Sequence, residues 1–498
     1  MKILLINPLF YFNGHLFKKN YKEINLGLLY LASVAQKEGF SVKIIALNKL
    51  ETERIIKREK PDIVGISCMI GQQRAGLTIA KKVKKVNKKI IVIVGGYYPT
   101  FRYKKILEQI PEVDVVVIGE GEESFSELLR LINQKKFNYN NLKKIKGIAF
   151  KENKKIVFTG NRELPNLDKL PWPSRTLWRT VNFFASRGCR FRCRYCSITK
   201  FYRKVERFRS VKNVIEELKW LEKLGEKDVS INDDNFLDNL DWFYKFRIFY
   251  VKQRLKIRSG IMSKLLNVLR LKKLRYLKEC NINEISIGLQ GIGDEENKFF
   301  RTGHTLKLLE EFNKKLIREN VEFDAISIFL IINSGVKHEN EESIFNKVKR
   351  VVDLLPEGAI PKKNKLALYP GTDIAEYFIK KGYYTESESV FKDDDYFNYS
   401  YADLNERKLT DLIATVDQLY EERAKRERWK KIPKRISANF LSTVNAYLIM
   451  LMRSSMSLWL KIRILMFIIY IVIKEFVSFR NPIKNDYKLG RMIKIKYF

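Results

Sequence analysis

The sequence predicts an α/β protein built from two successive strand–helix series and a helical C-terminal region. Three observations carry this. Short β-branched runs alternate with helical stretches over residues 1 to about 135, the alternation restarts at about 181, and strand signals stop at about 403. The 498 residues fit about two to four domains. Apolar residues make up 45% and charged residues 31%, enough to bury a core, which excludes a disordered chain.

In the first series Lys2–Ile6, Val42–Ala46, Ile63–Ser67, Ile90–Val94 and Val115–Ile118 read as parallel strands. Near-continuous apolar runs suit strands covered on both faces. Leu26–Glu38 has helical apolar spacing and stops at Gly39. This is a doubly wound domain, whose ligand belongs at the C-terminal ends of its strands. Leu164-Pro165 and Leu170-Pro171-Trp172-Pro173 then predict an extended linker. The second series offers strands at Val181–Ala185, Val229–Asp233, Ile257–Met262, Ile285–Leu289, Phe323–Ile332 and Lys365–Tyr369. Between the first two, Ser210 caps a helix carrying Val211, Val214, Ile215, Leu218, Leu221 and Leu224 before Gly225. Six such strands fit a partial or full β/α barrel, with its chemistry at the C-terminal rim. The expected divisions are 1–140, a linker 141–180, a barrel 181–385 and a basic, mainly helical region 386–498.

Lys plus Arg number 95 against 57 Asp plus Glu, a formal charge of +38. That excess suits an anionic partner. It is densest in the tail, where 18 basic and 3 acidic residues follow from Arg423 onward. No RNA-binding module is visible, so nucleic acid is not the expected partner. Ile464–Ile473 is apolar, flanked by Lys461, Arg463 and Lys474, and too short for the roughly 20 residues that span a bilayer. It reads equally as an interfacial segment facing lipid phosphates or as a buried helix of a cap domain. Five cysteines exclude a disulfide-rich secreted scaffold. Met1–Pro8 reads as a first strand and not a signal peptide. A cytoplasmic protein is expected, with peripheral contact at the inner membrane face as the option the tail leaves open.

Three of the five cysteines fall within eight residues, Cys189-Arg190-Phe191-Arg192-Cys193-Arg194-Tyr195-Cys196, directly after the first barrel strand. Three thiolates at a barrel rim bind three irons of a [4Fe–4S] cluster and leave the fourth open. A structural zinc site would need a distant histidine, and the chain has only His15, His304 and His338.

This C-x3-C-x2-C spacing, with Tyr195 before the last cysteine, resembles the radical S-adenosylmethionine (SAM) superfamily. The resemblance implies that Cys189, Cys193 and Cys196 hold the cluster, and that its open iron binds SAM and cleaves it to a 5′-deoxyadenosyl radical. Tyr195 joins the implied SAM site. Asn232-Asp233-Asp234-Asn235-Phe236 matches a family segment in which a carboxylate reaches the SAM ribose; a helix-capping cluster is the plainer alternative. Ile287-Gly288-Leu289-Gln290-Gly291 matches the fourth-strand segment, with Gln290 where an acidic residue is usual. Tyr369-Pro370-Gly371-Thr372 matches the end of the sixth strand, whereas Asn333-Ser334-Gly335 departs from the usual fifth-strand turn.

The first domain is similar to the cobalamin-binding domain that precedes the barrel in one large branch of this superfamily. The matching segments are Pro61–Ser67, Val94-Gly95-Gly96-Tyr97-Tyr98-Pro99-Thr100 and Gly119-Glu120-Gly121-Glu122-Glu123-Ser124. They imply a cobalamin site at Ser67, Gly95, Gly96, Tyr97, Thr100, Gly119, Glu120, Gly121 and Glu122. The Asp-x-His-x-x-Gly motif that supplies a lower cobalt ligand is absent, and His15 is the nearby imidazole. Cys68 and Cys280 read as packing residues, though Cys68 could also face the corrin. The resemblance thus gives a flavodoxin/Rossmann-like cobalamin-binding domain, a radical SAM partial TIM barrel and a helical C-terminal region. It implies a [4Fe–4S] cluster, SAM and cobalamin as cofactors, a small-molecule or lipid-like substrate, and an external electron donor of flavodoxin or ferredoxin type. The implied activity is methylation of an unactivated carbon. The alternative is oxidative cyclisation or rearrangement without methyl transfer.

Overall fold

The computed structural model describes residues 1–9, 11–12, 15–16, 24–331, 341–364, 366–386 and 389–390. The Asn333-Ser334-Gly335 turn, the side chain of His15 and the basic tail lie outside the described residues.

The first part contains strands β1 (Lys2–Pro8), β2 (Tyr11–Phe12), β3 (His15–Leu16), β4 (Ser41–Leu47), β5 (Ile63–Ser67), β6 (Ile91–Gly95), β7 (Val115–Val117), β8 (Ile148–Glu152) and β9 (Lys155–Phe158). Strands β2 and β3 form a small hairpin. The others make one sheet in the order β4-β1-β5-β6-β7-β8-β9, parallel except for β8 and β9. Alternate residues of one strand feed opposite cores. Leu4 and Ile6 pack with Val64, Ile66, Val92 and Val94 on one face. Ile3 and Leu5 pack with Ile63, Ile93 and Val115 on the other. Burial on both faces is why these strands read as unbroken apolar runs. The helix Leu26–Lys37 is capped by Asn25, whose side chain accepts from Gly27 N at 2.8 Å, and it buries Leu26, Leu29, Tyr30 and Ala32.

Within 141–180, residues 148–158 form a hairpin that the sequence reading does not contain. Lys151, Glu152 and Lys155 masked its apolar alternation, which only pairing with β7 makes useful. The Pro-rich segment after it is a clamp. Ser33 Oγ donates to Trp172 O at 2.6 Å and Ser174 N donates to Leu29 O at 3.1 Å, fixing the segment to the first domain's helix. Trp172 Nε1 donates to Asn213 Oδ1 at 3.3 Å, and its ring lies 6.0 Å from Trp220, fixing it to the second part.

The second part contains β10 (Asn182–Phe183), β11 (Ser186–Arg187), β12 (Arg207–Phe208), β13 (Asp228–Ile231), β14 (Arg258–Ser263), β15 (Ile282–Gln290), β16 (Ala325–Ile331) and β17 (Ile360–Asn364). A parallel sheet runs β10-β13-β14-β15-β16-β17, an open partial barrel. Strands β11 and β12 form a separate antiparallel pair. The helix Val211–Lys223 begins as expected, Ser210 accepting from Asn213 N, and it buries Val214, Ile215, Leu218 and Leu221 against the sheet. The sixth strand is a correction. It is Ile360–Asn364 and not Lys365–Tyr369. The apolar Leu366 and Leu368 pack instead with Phe300, Ile374 and Phe378. Among the described residues this strand pairs on one side only, which is why it tolerates Pro361 and lysines. Among the described residues no helix is long and apolar enough to cross a membrane.

Candidate functional site

The C-terminal ends of both sheets open onto one cavity of about 690 Å³. The first sheet contributes Asn7, Ser67, Gly95, Gly96 and Gly119, and the barrel contributes Asn182, Phe184, Asp234 and Tyr369. Strand ends are where both architectures place their ligands.

On the first domain's side Ser67, Gly95, Gly96, Tyr97, Gly119, Glu120, Gly121 and Glu122 all line the cavity. Gly96 has φ +108°, and a Cβ there would lie 2.8 Å from Cys68 O. The turn after β6 therefore requires glycine because it packs on the Cys68 backbone, whereas at Gly119 (φ +74°), which also lines the cavity, a Cβ would meet nothing within 4 Å. Thr100 does not line the cavity. Its hydroxyl donates to Gly96 O at 2.8 Å and accepts from Gly119 N at 2.9 Å, so it ties two of the turns together. Cys68 is fully buried, packs against Gly76, and burial pushes its thiol up to about 12. It is a packing residue and does not face the cavity. Cys280 is equally buried.

The side chains of Glu120 and Glu122 are engaged by arginine. Arg187 Nη1 lies 2.6 Å from Glu120 Oε1 and 2.7 Å from Glu122 Oε1, and Arg207 Nη2 lies 2.5 Å from Glu120 Oε2. Burial pushes the Glu120 carboxyl up against the pull of these guanidinium groups. Tyr97 stacks on Phe201 with centroids 4.1 Å apart, joining the first domain to the helix after the cysteine loop. Burial raises the Tyr97 phenol well above its usual range, and it shares a hydrogen bond with Tyr202.

On the barrel side Cys189 and Cys196 are half-buried and Cys193 is buried. Burial pushes the Cys189 and Cys196 thiols up to about 12. Lys264 Nζ lies 3.4 Å from Cys193 Sγ and 3.8 Å from the Phe191 ring centroid, and it also donates to Thr302 O. Asn235 Nδ2 approaches Cys189 Sγ at 3.9 Å. A cationic and an amide donor beside the sulfurs suit thiolates that carry metal. Among the described residues no three His, Cys, Asp or Glu side chains converge on a single ion position. A cluster does not need that, since each thiolate takes its own iron.

The implied SAM residues separate. Asp234 lines the cavity, accepts from Gly188 N at 3.0 Å, and is pushed up to about 6 by burial. Asp233 is fully buried away from the cavity. It accepts from Ala185 N at 2.7 Å and from Ser186 Oγ at 2.6 Å, which ties the end of β13 to β10. Tyr195 packs edge-on against Phe300 at 5.5 Å. Gln290 sits at a register shift of β15 with φ +71°, its amide folded over Gly288. Neither Tyr195 nor Gln290 lines the cavity.

Burial pushes Asp233 up to about 7, above an unfolded value of about 3.9. Its favourable contribution is therefore full below about pH 4 and is lost as pH rises through about 7. In thermal melts, the stability advantage of wild type over Asp233→Asn is expected to shrink steadily from pH 5 to pH 8. An advantage that grows over that range would reverse the assignment.

Sequence reasoning missed Arg187, Lys264 and Tyr202. Arg187 carried a signal: a lone charge between an apolar strand and the first cysteine. Lys264 carried none, because only the ending of β14 beside the cysteine loop brings it there.

Fold and site together define a class, an enzyme in which the residues flanking a barrel-rim cysteine loop, Arg187, Ser197 and Ile198, line a cavity shared with a doubly wound cofactor domain. Residues 17–129 match the B12 binding domain model and residues 184–349 match the radical SAM superfamily model. An uncharacterized methyltransferase of Pyrococcus horikoshii is 30% identical over 375 residues, 71% of this chain and 78% of that one. The anaerobic magnesium-protoporphyrin IX monomethyl ester cyclase of Rubrivivax gelatinosus is 26% identical over 387 residues, 72% of this chain and 67% of that one. The methyltransferase TsrM of Kitasatospora setae, solved with cobalamin and a [4Fe–4S] cluster, shares the fold at a TM-score of 0.60 and 15% identity, over 76% of this chain and 75% of that one. The chain belongs to the radical SAM enzymes that carry an N-terminal B12-binding domain. Its cofactors are accordingly a [4Fe–4S] cluster, SAM and cobalamin.

Proposed function

We propose that the protein is a cobalamin-dependent radical SAM methyltransferase that methylates an unactivated carbon of a small-molecule or lipid-like substrate. The observation that carries this is the single cavity onto which the Ser67 and Gly95–Gly96 strand ends and Asp234 all open. The Pyrococcus horikoshii relative supports methyl transfer. When bound, the cofactors supply hydrogen abstraction and methyl relay, and the protein places them. Cys189, Cys193 and Cys196 ligate three irons. Lys264 holds positive charge beside the Cys193 sulfur. Asp234 accepts hydrogen bonds from the ribose of SAM, while Asp233 holds the two strand ends that set its position. The glycines at 95 and 96 let the backbone approach the corrin, and Leu5, Ile93, Val117 and Phe125 keep water from the cavity floor. Electrons come from an external donor of flavodoxin or ferredoxin type.

The Rubrivivax gelatinosus relative favours a second reading, cyclisation or rearrangement without methyl transfer. Methyl-labelled SAM separates the two. Anaerobic protein reconstituted with iron, sulfide, cobalamin and reductant is expected to place the label on cobalamin and release S-adenosylhomocysteine. Bound cobalamin with 5′-deoxyadenosine as the sole product would sink methyl transfer and leave the second reading.

A further inference from the structure

Arg187 lies two residues before the first cluster cysteine, yet its charge is satisfied in the other domain. Its side chain is 5% exposed and reaches Glu120 at 2.6 Å and Glu122 at 2.7 Å, both on the turn that follows β7. The guanidinium also lies over Tyr30 at 4.6 Å and Phe184 at 5.3 Å, one ring from each domain. Arg207, on the strand paired with β11, adds a second contact to Glu120. Next to Arg187, Gly188 N donates to Asp234 at 3.0 Å. One short strand is thus held from the cobalamin side by charge and from the SAM side by a backbone hydrogen bond.

Burying an arginine and two carboxylates costs desolvation that apolar packing would avoid, so stability does not explain the arrangement. A guanidinium offers what apolar packing lacks, a rigid planar fork that fixes distance and direction to two carboxylates. The two domains are separate sheets, joined elsewhere by the Tyr97–Phe201 stack and the Trp172 clamp, and the reacting groups must meet across the cavity. An offset of about 1 Å between reacting groups costs on the order of 100-fold in rate.

We propose that Arg187 is a positioning residue that locks the cluster loop to the turn Gly119–Glu122 and thereby sets the spacing between cobalt and cluster. This rests on the two-cofactor reading above. The test is the cobalt-to-cluster distance distribution, read by pulsed electron paramagnetic resonance on full-length protein holding cob(II)alamin and the reduced cluster. Wild type is expected to give one narrow distribution. Arg187→Gln is expected to keep both cofactors but broaden it, with methyl transfer per bound cofactor falling by on the order of 100-fold. Arg187→Lys is expected to restore it in part, since one ammonium reaches both carboxylates less rigidly.

Leaving Glu120 and Glu122 buried without Arg187 could unfold the protein. The neutral triple variant Arg187→Gln/Glu120→Gln/Glu122→Gln removes that imbalance and is expected to fold with the same broad distribution. A narrow, wild-type distribution in either glutamine variant overturns the proposal. So does loss of cobalamin from the triple variant alone, which would make the carboxylates cofactor ligands. Wild-type protein that binds iron but never cobalamin overturns the two-cofactor reading itself, and shows as an absent cobalt signal before any variant is made.

Discussion

Cys193→Ala is expected to reduce SAM cleavage to background. Cys193 is the buried member of the three, its carbonyl accepts from Cys196 N at 3.2 Å, and Lys264 stands 3.4 Å from its sulfur. Removing one of three thiolates leaves an iron without a protein ligand, and no other cysteine is near in sequence to replace it. Iron content after anaerobic reconstitution and the yield of 5′-deoxyadenosine are the readouts. Cys280→Ala is the control. It removes a fully buried sulfur from the barrel's apolar core, so it should cost about 1 kcal/mol of stability and leave iron and cleavage unchanged. Retained SAM cleavage in Cys193→Ala would remove the cluster assignment.

The second large effect is expected at Gly96→Ala. Gly96 has φ +108° and ψ −169°, a region open essentially to glycine, where another residue costs about 1–3 kcal/mol. The added Cβ would also meet Cys68 O at 2.8 Å and Cys68 N at 3.3 Å. Those atoms cannot yield easily, because Cys68 N donates to Gly95 O at 2.8 Å and Tyr98 N donates to Cys68 O at 3.2 Å. The turn must therefore move, and Thr100, which joins it to Gly119, carries the shift to the next turn. The expected result is a lower melting temperature, cobalamin affinity weakened by on the order of 10-fold or more, and iron content unchanged. Unchanged cobalamin binding in a folded variant would mean that this turn does not approach the cofactor.

Much of the molecule was legible because local rules and global structure agree. Strand β1 reads correctly because Ile3, Leu4, Leu5 and Ile6 feed both cores, so any register buries them. The helix at 211 reads correctly because Ser210 and the apolar spacing give the same answer. The sixth strand did not read correctly, because Leu366 and Leu368 are apolar for a helix packed behind the sheet and not for the sheet itself. The hairpin at 148–158 failed for the opposite reason. Its outer face is charged, and its value lies in covering the edge of β7.

The sequence by itself determined the cluster chemistry, because three cysteines in eight residues admit few other uses. It pointed to cobalamin only through the resemblance of three segments in order, since a glycine turn after an apolar strand is what any doubly wound fold needs. Tertiary structure alone decided which polar residues are free to act. Asp233 and Asp234 are neighbours with the same side chain, yet one is consumed by Ala185 and Ser186 while the other faces the cavity. Glu120 and Glu122 read as cofactor residues, yet their charges meet an arginine more than sixty positions away. A sequence motif records which groups a site contains. Which of them keep an open hydrogen-bonding face depends on what packs against them, and those partners come from distant parts of the chain.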